Sequence, residues 1–583
     1  MTKRIEKNVA IIFAILLGFL FSLHLIIIPL FLTPKGQVFV PFGYKDEGGY
    51  LSIVRKAADG SMIPGDSQLF EHINLPYLHW AVFIPYIIVT KITGSLFFSI
   101  FLGRFFVNSL IFLLFYIILR KQLDFISSLV ISLGVIVGFR LISHFPPFTL
   151  LLLKGFINDL NLSNIDGFSF GRFFPYANSF VLLLFSIYLL QNIVFFNGKK
   201  TIFTAFVASL LFYSYVYHWT FFYAGAALFL IYAMIIKNNN ICKKLTRFFL
   251  YTGIFIIPYI YLYVLNSKLD LFHRVIQNNG RYVEWIISLR YLVLAFLFSI
   301  IIIPSKKSPL VLFPIFLIAG VICLNVQLLT GFTIQPDHWI MVIEPFGFIS
   351  GFIIIFHLLN KFHWKNYLKI LILVYFLLVA IILRIRSLSL QSHHFISSET
   401  EEIIHWLNKN TKIDDVVVTT DTSLSFDLPT LTHNRVFLPN SYHTYASDEE
   451  ILQRIFWVYQ FSGINSSEFA KKLSISDFIY LFFNCSFDFN KRKKIIDYEF
   501  PGNIKQKILK LDGTITYPNF VRYIPDNIKR NILNDYAKEW KYDNNRKNYF
   551  ILKKNIDIPS NSRKMLIEVY ENKGYTIFKF KKA

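Results

Sequence analysis

The apolar residues of this chain come in long unbroken blocks, most of about 17 to 25 residues, the length an α-helix needs to cross roughly 30 Å of hydrocarbon. The blocks lie near residues 9–31, 76–93, 95–119, 124–143, 172–196, 201–216, 219–236, 248–265, 286–303, 309–329, 340–358 and 366–384. Inside a bilayer every backbone polar group must be satisfied within the protein, so a chain patterned in this way can only fold as a helical bundle. Composition agrees. Of the 583 residues 54% are hydrophobic and only 16% charged, against about 25% charged in soluble chains. The expected class is a polytopic α-helical membrane protein.

Lys3, Arg4 and Lys7 precede the first block as they would in a secretory signal. Its apolar core is too long for one, and no small-residue cleavage site follows in "LTPKGQVFV", so it reads as an uncleaved first helix. The net charge of +23 reports cytoplasmic loops and anionic headgroups, and nucleic acid is not expected. The three cysteines, Cys242, Cys323 and Cys485, have no metal or disulfide spacing.

The basic loops orient the bundle. "NGKK" (197–200), "KNNNICKKLTR" (237–247), "PSKKS" (304–308) and "NKFHWKNYLK" (360–369) are expected in the cytoplasm. The N-terminus is also expected inside, which leaves residues 32–75 as a large first external loop and carries the tail outside. Twelve full crossings would leave the tail inside, so the count is expected to be 11 or 13. The weakest candidates are 76–93 and "FPPFTLLLLKGF" (145–156), the latter expected to be re-entrant. The predicted organisation is therefore a membrane module over 1–385 and a soluble extracytoplasmic domain over 386–583.

That domain reads as α/β or α+β. "SSETEEIIHWLNKN" and "NIKRNILNDYAKEW" have helical spacing, "DDVVVTT" and "DFIYLFF" are strand-like, and "KMLIEVYENKGYTIFKFKK" predicts two strands around a short turn. It holds no Gly-rich phosphate loop, GxSxG or HExxH.

In the first external loop, "YKDEGGYLSI" sets Asp46 and Glu47 side by side, and "GGYLSIVRKAADG" continues with helical spacing. An acid at a helix N-terminus is favourable in itself, so Asp46 has a purely structural reading as a helix start. The layout also resembles the GT-C superfamily of integral membrane glycosyltransferases, which includes protein O-mannosyltransferases and the bacterial and archaeal enzymes that act on polyprenyl-phosphate sugars, lipid A aminoarabinose transferases among them. There a first membrane helix leads to a large external loop with one or two acids followed by short surface helices. Asp46 and Glu47 match those acids, and "SMIPGDSQLFEHINLPYLHWAVFIPYIIVTKITG" (61–94) matches the stretch after them.

The resemblance implies an inverting transfer of a sugar from a polyprenyl phosphate to an acceptor hydroxyl on a glycan, lipid or protein at the outer face of the membrane. The phosphate is already a good leaving group, so the remaining need is a base for the acceptor hydroxyl, and Asp46, with Glu47 as rival, is the expected base. The donor phosphate calls for positive charge and hydrogen-bond donors. Arg172 in "DGFSFGRFFPYANSF", His218 in "YSYVYHWTFFY" and His338 in "TGFTIQPDHWI" stand at outer helix boundaries and are the expected phosphate ligands. Gln335, Asp337 and Glu344 are expected to line the cavity. Each has a plainer reading: Arg172 can snorkel to headgroups, His218 can cap a helical hairpin, and "PDHW" can be a turn with an interfacial Trp. Arg104, inside an apolar block, is costly in lipid and expected to face protein or a lipid phosphate.

Two other classes compete. A transporter or flippase of a lipid-linked or anionic substrate would show midplane charge and paired broken helices. A non-catalytic assembly or sensor protein would leave the Asp46 cluster scattered. No cofactor is required by the sequence. A divalent cation on Asp46, Glu47 and Asp337 stays open, because some GT-C enzymes use one and others do not.

Overall fold

The computed structural model describes the chain apart from residues 1–2, 43–45, 62–64, 73–76, 138–169, 171–172, 197–199, 272–288, 303–307, 327, 329–335, 389–393, 476–477, 479–481, 483–525, 539–546, 555 and 582–583. Asp46, Phe173, Phe174, Pro336, Asp337, Arg386 and 526–528 are described by their backbone alone. It has the expected architecture, a polytopic helical bundle followed by a sheet-containing C-terminal domain. The expected re-entrant segment at 145–156 lies outside the described residues.

Six described helices are long and apolar enough to cross a membrane: Lys3–Ser22, Leu96–Arg120, Pro175–Phe195, Val216–Ile235, His338–Leu359 and Lys365–Ile385. Asn239–Phe255 and Ile257–Asn266 form a pair bent by 48°, and Phe125–Val137, Leu289–Ile301 and Pro309–Leu324 are shorter apolar helices. The first span, α1 (Lys3–Ser22), is followed by β1 (Gln37–Val40) and by α2 (Asp46–Ala58), the helix expected from "GGYLSIVRKAADG". The segment near 76–93 forms only the ten-residue α3 (Ile84–Thr93) after a 3-10 turn. Gly94, at φ 69, ends α3 in the left-handed conformation that glycine tolerates. Ser95 then caps α4 (Leu96–Arg120), accepting a hydrogen bond from the Phe98 amide.

α1 and α4 pack closely because their contact residues are small. A Cβ at Gly18 would lie 2.2 Å from the Ser109 hydroxyl oxygen, and that hydroxyl donates to the Ala14 carbonyl at 2.8 Å. Lipid tails are as apolar as leucine, so membrane helices associate through close backbone approach and such hydrogen bonds. Arg120 pairs with Glu6 at 2.8 Å where α4 ends beside the start of α1. The remaining membrane helices used below are α5 (Asn178–Phe195), α6 (Thr201–Ser209), α7 (Val216–Ile235), α8 (Leu289–Ile301), α9 (Pro336–Leu359) and α10 (Lys365–Ser387).

Arg384, near the end of α10, bonds His24 at 2.9 Å and the Phe21 carbonyl at 3.0 Å, which fixes the point where the chain leaves the bundle. β2 (His394–Ser397) then pairs antiparallel with β1, with Gln37 opposite Ser397 and Val40 opposite His394. The first loop and the C-terminal domain are thus joined by a ribbon.

The domain continues with α11 (Ser398–Asn410), β3 (Val416–Thr419), α12 (Thr422–Leu431), β4 (Arg435–Val436), α13 (Asp448–Phe461), β5 (Tyr549–Lys553), β6 (Leu566–Glu571) and β7 (Tyr575–Phe580). The five-stranded sheet runs β4-β3-β5-β7-β6, with β3 parallel to both its neighbours and β7 antiparallel to both of its own. Side-chain alternation decides its two faces. Val417 and Ile551 pack with Ile403, Leu407 and Leu428 of α11 and α12. Val416, Val418 and Phe550 pack with Ile451 and Ile455 of α13. This α/β layering, and the strand pair around 571–575, follow the sequence pattern. The "DFIYLFF" run lies mostly outside the described residues, and Phe478 within it is helical.

Candidate functional site

α2 begins at Asp46, so the neighbouring acid Glu47 points from its first turn into the protein, where it is 9% exposed. A carboxylate so buried needs a partner. It finds Arg104 of α4, whose Nη2 lies 3.2 Å from one Glu47 oxygen and 3.4 Å from the other. The cost of an arginine inside an apolar block is met here by protein. The pair sits sixteen residues from Arg120 along α4, about 24 Å of helix, and so near the opposite side of the hydrocarbon from the Arg120–Glu6 pair.

Beside this pair opens an apolar groove of about 560 Å³ between α3, α4, α5 and α6. Val89, Phe106, Leu110, Val181 and Phe185 line it, and its polar atoms come from Tyr86, Ser99 and Asn178. Tyr86 donates a hydrogen bond to the Asn178 side chain, and the Ser99 hydroxyl donates to the Tyr86 carbonyl at 3.1 Å. Tyr86 lies within electrostatic reach of both Arg104 and Glu47. Through Tyr86 the polar lining of the groove therefore lies near the Arg104–Glu47 pair. An apolar groove with a few placed polar groups is the usual character of a ligand site.

The other expected residues lie along a second path. The π-helical turn Phe173–Ala177 packs against α2 and α4, and Arg172, which precedes it, lies outside the described residues. From that turn Tyr176 donates to the Met341 carbonyl of α9 at 2.8 Å and sets its ring 5.4 Å from His218. His218 is fully buried among the rings of Tyr176, Phe180 and Tyr215. His338 is 5% exposed, bonds the Tyr215 hydroxyl through Nδ1 and lies 4.7 Å, ring to ring, from Tyr217. One aromatic cluster thus gathers His218 and His338 behind the turn that follows Arg172. Glu344, one helical face further along α9, pairs with Arg290 of α8 at 3.7 Å. Gln335 and the Asp337 side chain lie outside the described residues.

The fit to a divalent cation is poor on the residues described. Glu47 is committed to Arg104, and no group of three His, Cys, Asp or Glu among the described residues is placed to hold a metal ion. No step is derived through one.

Sequence reasoning singled out both Arg104 and Glu47 but not their pairing, and it missed Tyr86, Asn178 and the groove. It also missed how fully α2 is gripped by the C-terminal domain. Lys56 is completely buried, with Nζ donating to the Asn434 carbonyl at 2.5 Å. Burial pushes its amine well below the ordinary lysine range, and the Arg435 guanidinium adds to this. Asp66, later in the same loop, accepts from the Gln68, Leu69 and Tyr445 amides and the Thr444 hydroxyl, and Arg435 donates to its carbonyl.

The bundle, the first loop with its short helix and the appended α/β domain define a multi-pass helical membrane protein. Solved structures with a similar fold include ArnT from Cupriavidus metallidurans. ArnT in the apo state superposes with a TM-score of 0.50 at 8% identity, over 99% of this chain and 98% of that one. ArnT bound to undecaprenyl phosphate gives 0.49 at 8% identity over the same shares. No protein-family model matches the chain, and no curated protein matches it in sequence.

Proposed function

We propose that the chain is a glycosyltransferase that moves a sugar from a polyprenyl-phosphate donor to an acceptor hydroxyl on the extracytoplasmic face of the membrane. The observation that carries this reading is the apolar groove whose polar lining, Tyr86, Ser99 and Asn178, lies near the Arg104–Glu47 pair that anchors the helix starting at Asp46. The GT-C fold supports it, as does the order of the parts in the first loop.

In this mechanism the prenyl chain lies in the groove among Phe106, Leu110 and Val181, and the phosphate sits by Tyr86 and Arg104, with Arg172 and His338 as further donors. Asp46, ionised at the start of α2, takes the proton of the acceptor hydroxyl. The oxygen attacks the anomeric carbon, the bond from that carbon to the phosphate oxygen breaks, and polyprenyl phosphate leaves with the electron pair. Attack opposite the leaving group inverts the anomeric centre. Glu47 holds Arg104 in place and keeps it from pairing with Asp46.

Release of undecaprenyl phosphate tests the reading without knowledge of the acceptor. Purified full-length protein is given undecaprenyl-phosphate glucose, mannose and aminoarabinose in turn, with whole envelope extract of the source cell as acceptor. Release from one donor, lost in Asp46→Asn, is the expected result. No release from any donor overturns it.

A further inference from the structure

The helix that carries the proposed base is held at its start by the soluble domain. The Thr430 hydroxyl of α12, 1% exposed, donates to the Gly48 carbonyl in the first turn of α2 at 2.6 Å. The two helices meet so closely there that a Cβ on Gly48 would lie 2.8 Å from the Phe426 ring. On the next residue, a Cβ at Gly49 would lie 2.2 Å from the ring of His443, another residue of that domain. α12 is fixed in turn by its own Asp427. This carboxylate, 2% exposed, lies 3.0 and 3.2 Å from Nε2 of His394. His394 is the β2 residue paired with Val40, and its ring lies 6.1 Å from Phe42. The pair therefore joins α12 to the ribbon that leads directly into α2.

A hydrogen-bonded polar pair this buried is seldom a net source of stability, whereas it does specify one arrangement of the groups it joins. Asp46 is two residues from the carbonyl that Thr430 holds. We propose that the C-terminal domain is a working part of the transfer site, with Thr430 and the His394–Asp427 pair as positioning residues that set the start of α2. This rests on the transferase reading above. The domain's role is then to set the backbone that carries the proposed base, beside the Glu47 that α4 holds through Arg104.

The test uses the full chain in detergent. Thr430→Val keeps the shape of the side chain and removes the donor, Thr430→Ser restores it, and His394→Gln keeps a hydrogen bond without the imidazole ring. Three quantities are measured: undecaprenyl phosphate release, undecaprenyl phosphate affinity, and hydrogen exchange of the backbone amides of residues 48–52. Misplacement of a catalytic group by about 1 Å costs up to roughly a hundredfold in rate. Thr430→Val is therefore expected to lower kcat by about tenfold to a hundredfold, with unchanged KM and lipid-phosphate affinity and faster exchange at 48–52. Thr430→Ser is expected near wild type and His394→Gln between the two. Unchanged exchange and kcat in Thr430→Val and His394→Gln overturn the inference, and so does a loss of affinity in step with kcat. A wild type that releases nothing, with exchange still altered in the variants, overturns the functional reading and leaves the positioning contact standing.

Discussion

Arg104 and Glu47, fifty-seven positions apart in the chain, form an ion pair with 3.2 Å between Nη2 and Oε2 and with side chains only 11% and 12% exposed. The pair clamps the first turn of the external helix to a membrane helix. Under the proposed transferase reading the two adjacent acids have different jobs, Glu47 as the partner of Arg104 and Asp46 as the base.

That separation predicts opposite outcomes for two similar substitutions. Glu47→Gln leaves Arg104 buried without its counter-charge, and removing one partner of a buried pair costs about 3–5 kcal/mol. Its thermal midpoint in detergent is expected to fall clearly. Asp46→Asn is expected to melt near wild type and to lose about 10² to 10⁴ in undecaprenyl phosphate release. A dead, fully stable Glu47→Gln beside an active Asp46→Asn would reverse the roles.

The groove makes a steric prediction. Val181 lines it from α5, and Val181→Trp places an indole in its path. Affinity for undecaprenyl phosphate is expected to drop at least tenfold, while affinity for a water-soluble short-chain prenyl phosphate stays the same. Binding of both by calorimetry checks this, and equal losses would move the chain elsewhere.

Arg172 is expected to act on the ligand rather than on folding. Arg172→Ala should therefore bind undecaprenyl phosphate more weakly at an unchanged melting temperature. Unchanged affinity would remove Arg172 from the phosphate site.

A pH effect is expected where the first loop meets α13. His72 Nε2 lies 2.8 Å from a Glu450 oxygen, and that hydrogen bond raises the histidine above its ordinary value of about 6.5. A raised pKa means the folded state holds the proton more tightly than the unfolded chain. The stabilisation is then complete below about pH 6.5 and is lost as pH rises through the raised value. Wild type should melt above His72→Gln in mildly acidic buffer and match it in alkaline buffer. A constant gap across that range would show that the contact acts without the charge.

The features legible in the residues are those set by local physics. The length of an apolar block is a property of a few turns of chain, so the membrane class, the long apolar first helix and the helix starting at Asp46 could all be read directly. The alternation in "KMLIEVYENKGYTIFKFKK" likewise carries its own strand pair. The site is different, because its contacts join residues far apart along the chain. Nothing in the sequence near Glu47 says that Arg104 will neutralise it, or that Thr430 will reach Gly48 across 382 positions. The groove exists only because four helices leave a gap between them, and apolar residues that line a gap look the same in sequence as those that fill a core. Burial imposed the rest: once α2 was enclosed between the bundle and the sheet domain, each of its polar groups had to find a partner there, and packing alone decided which.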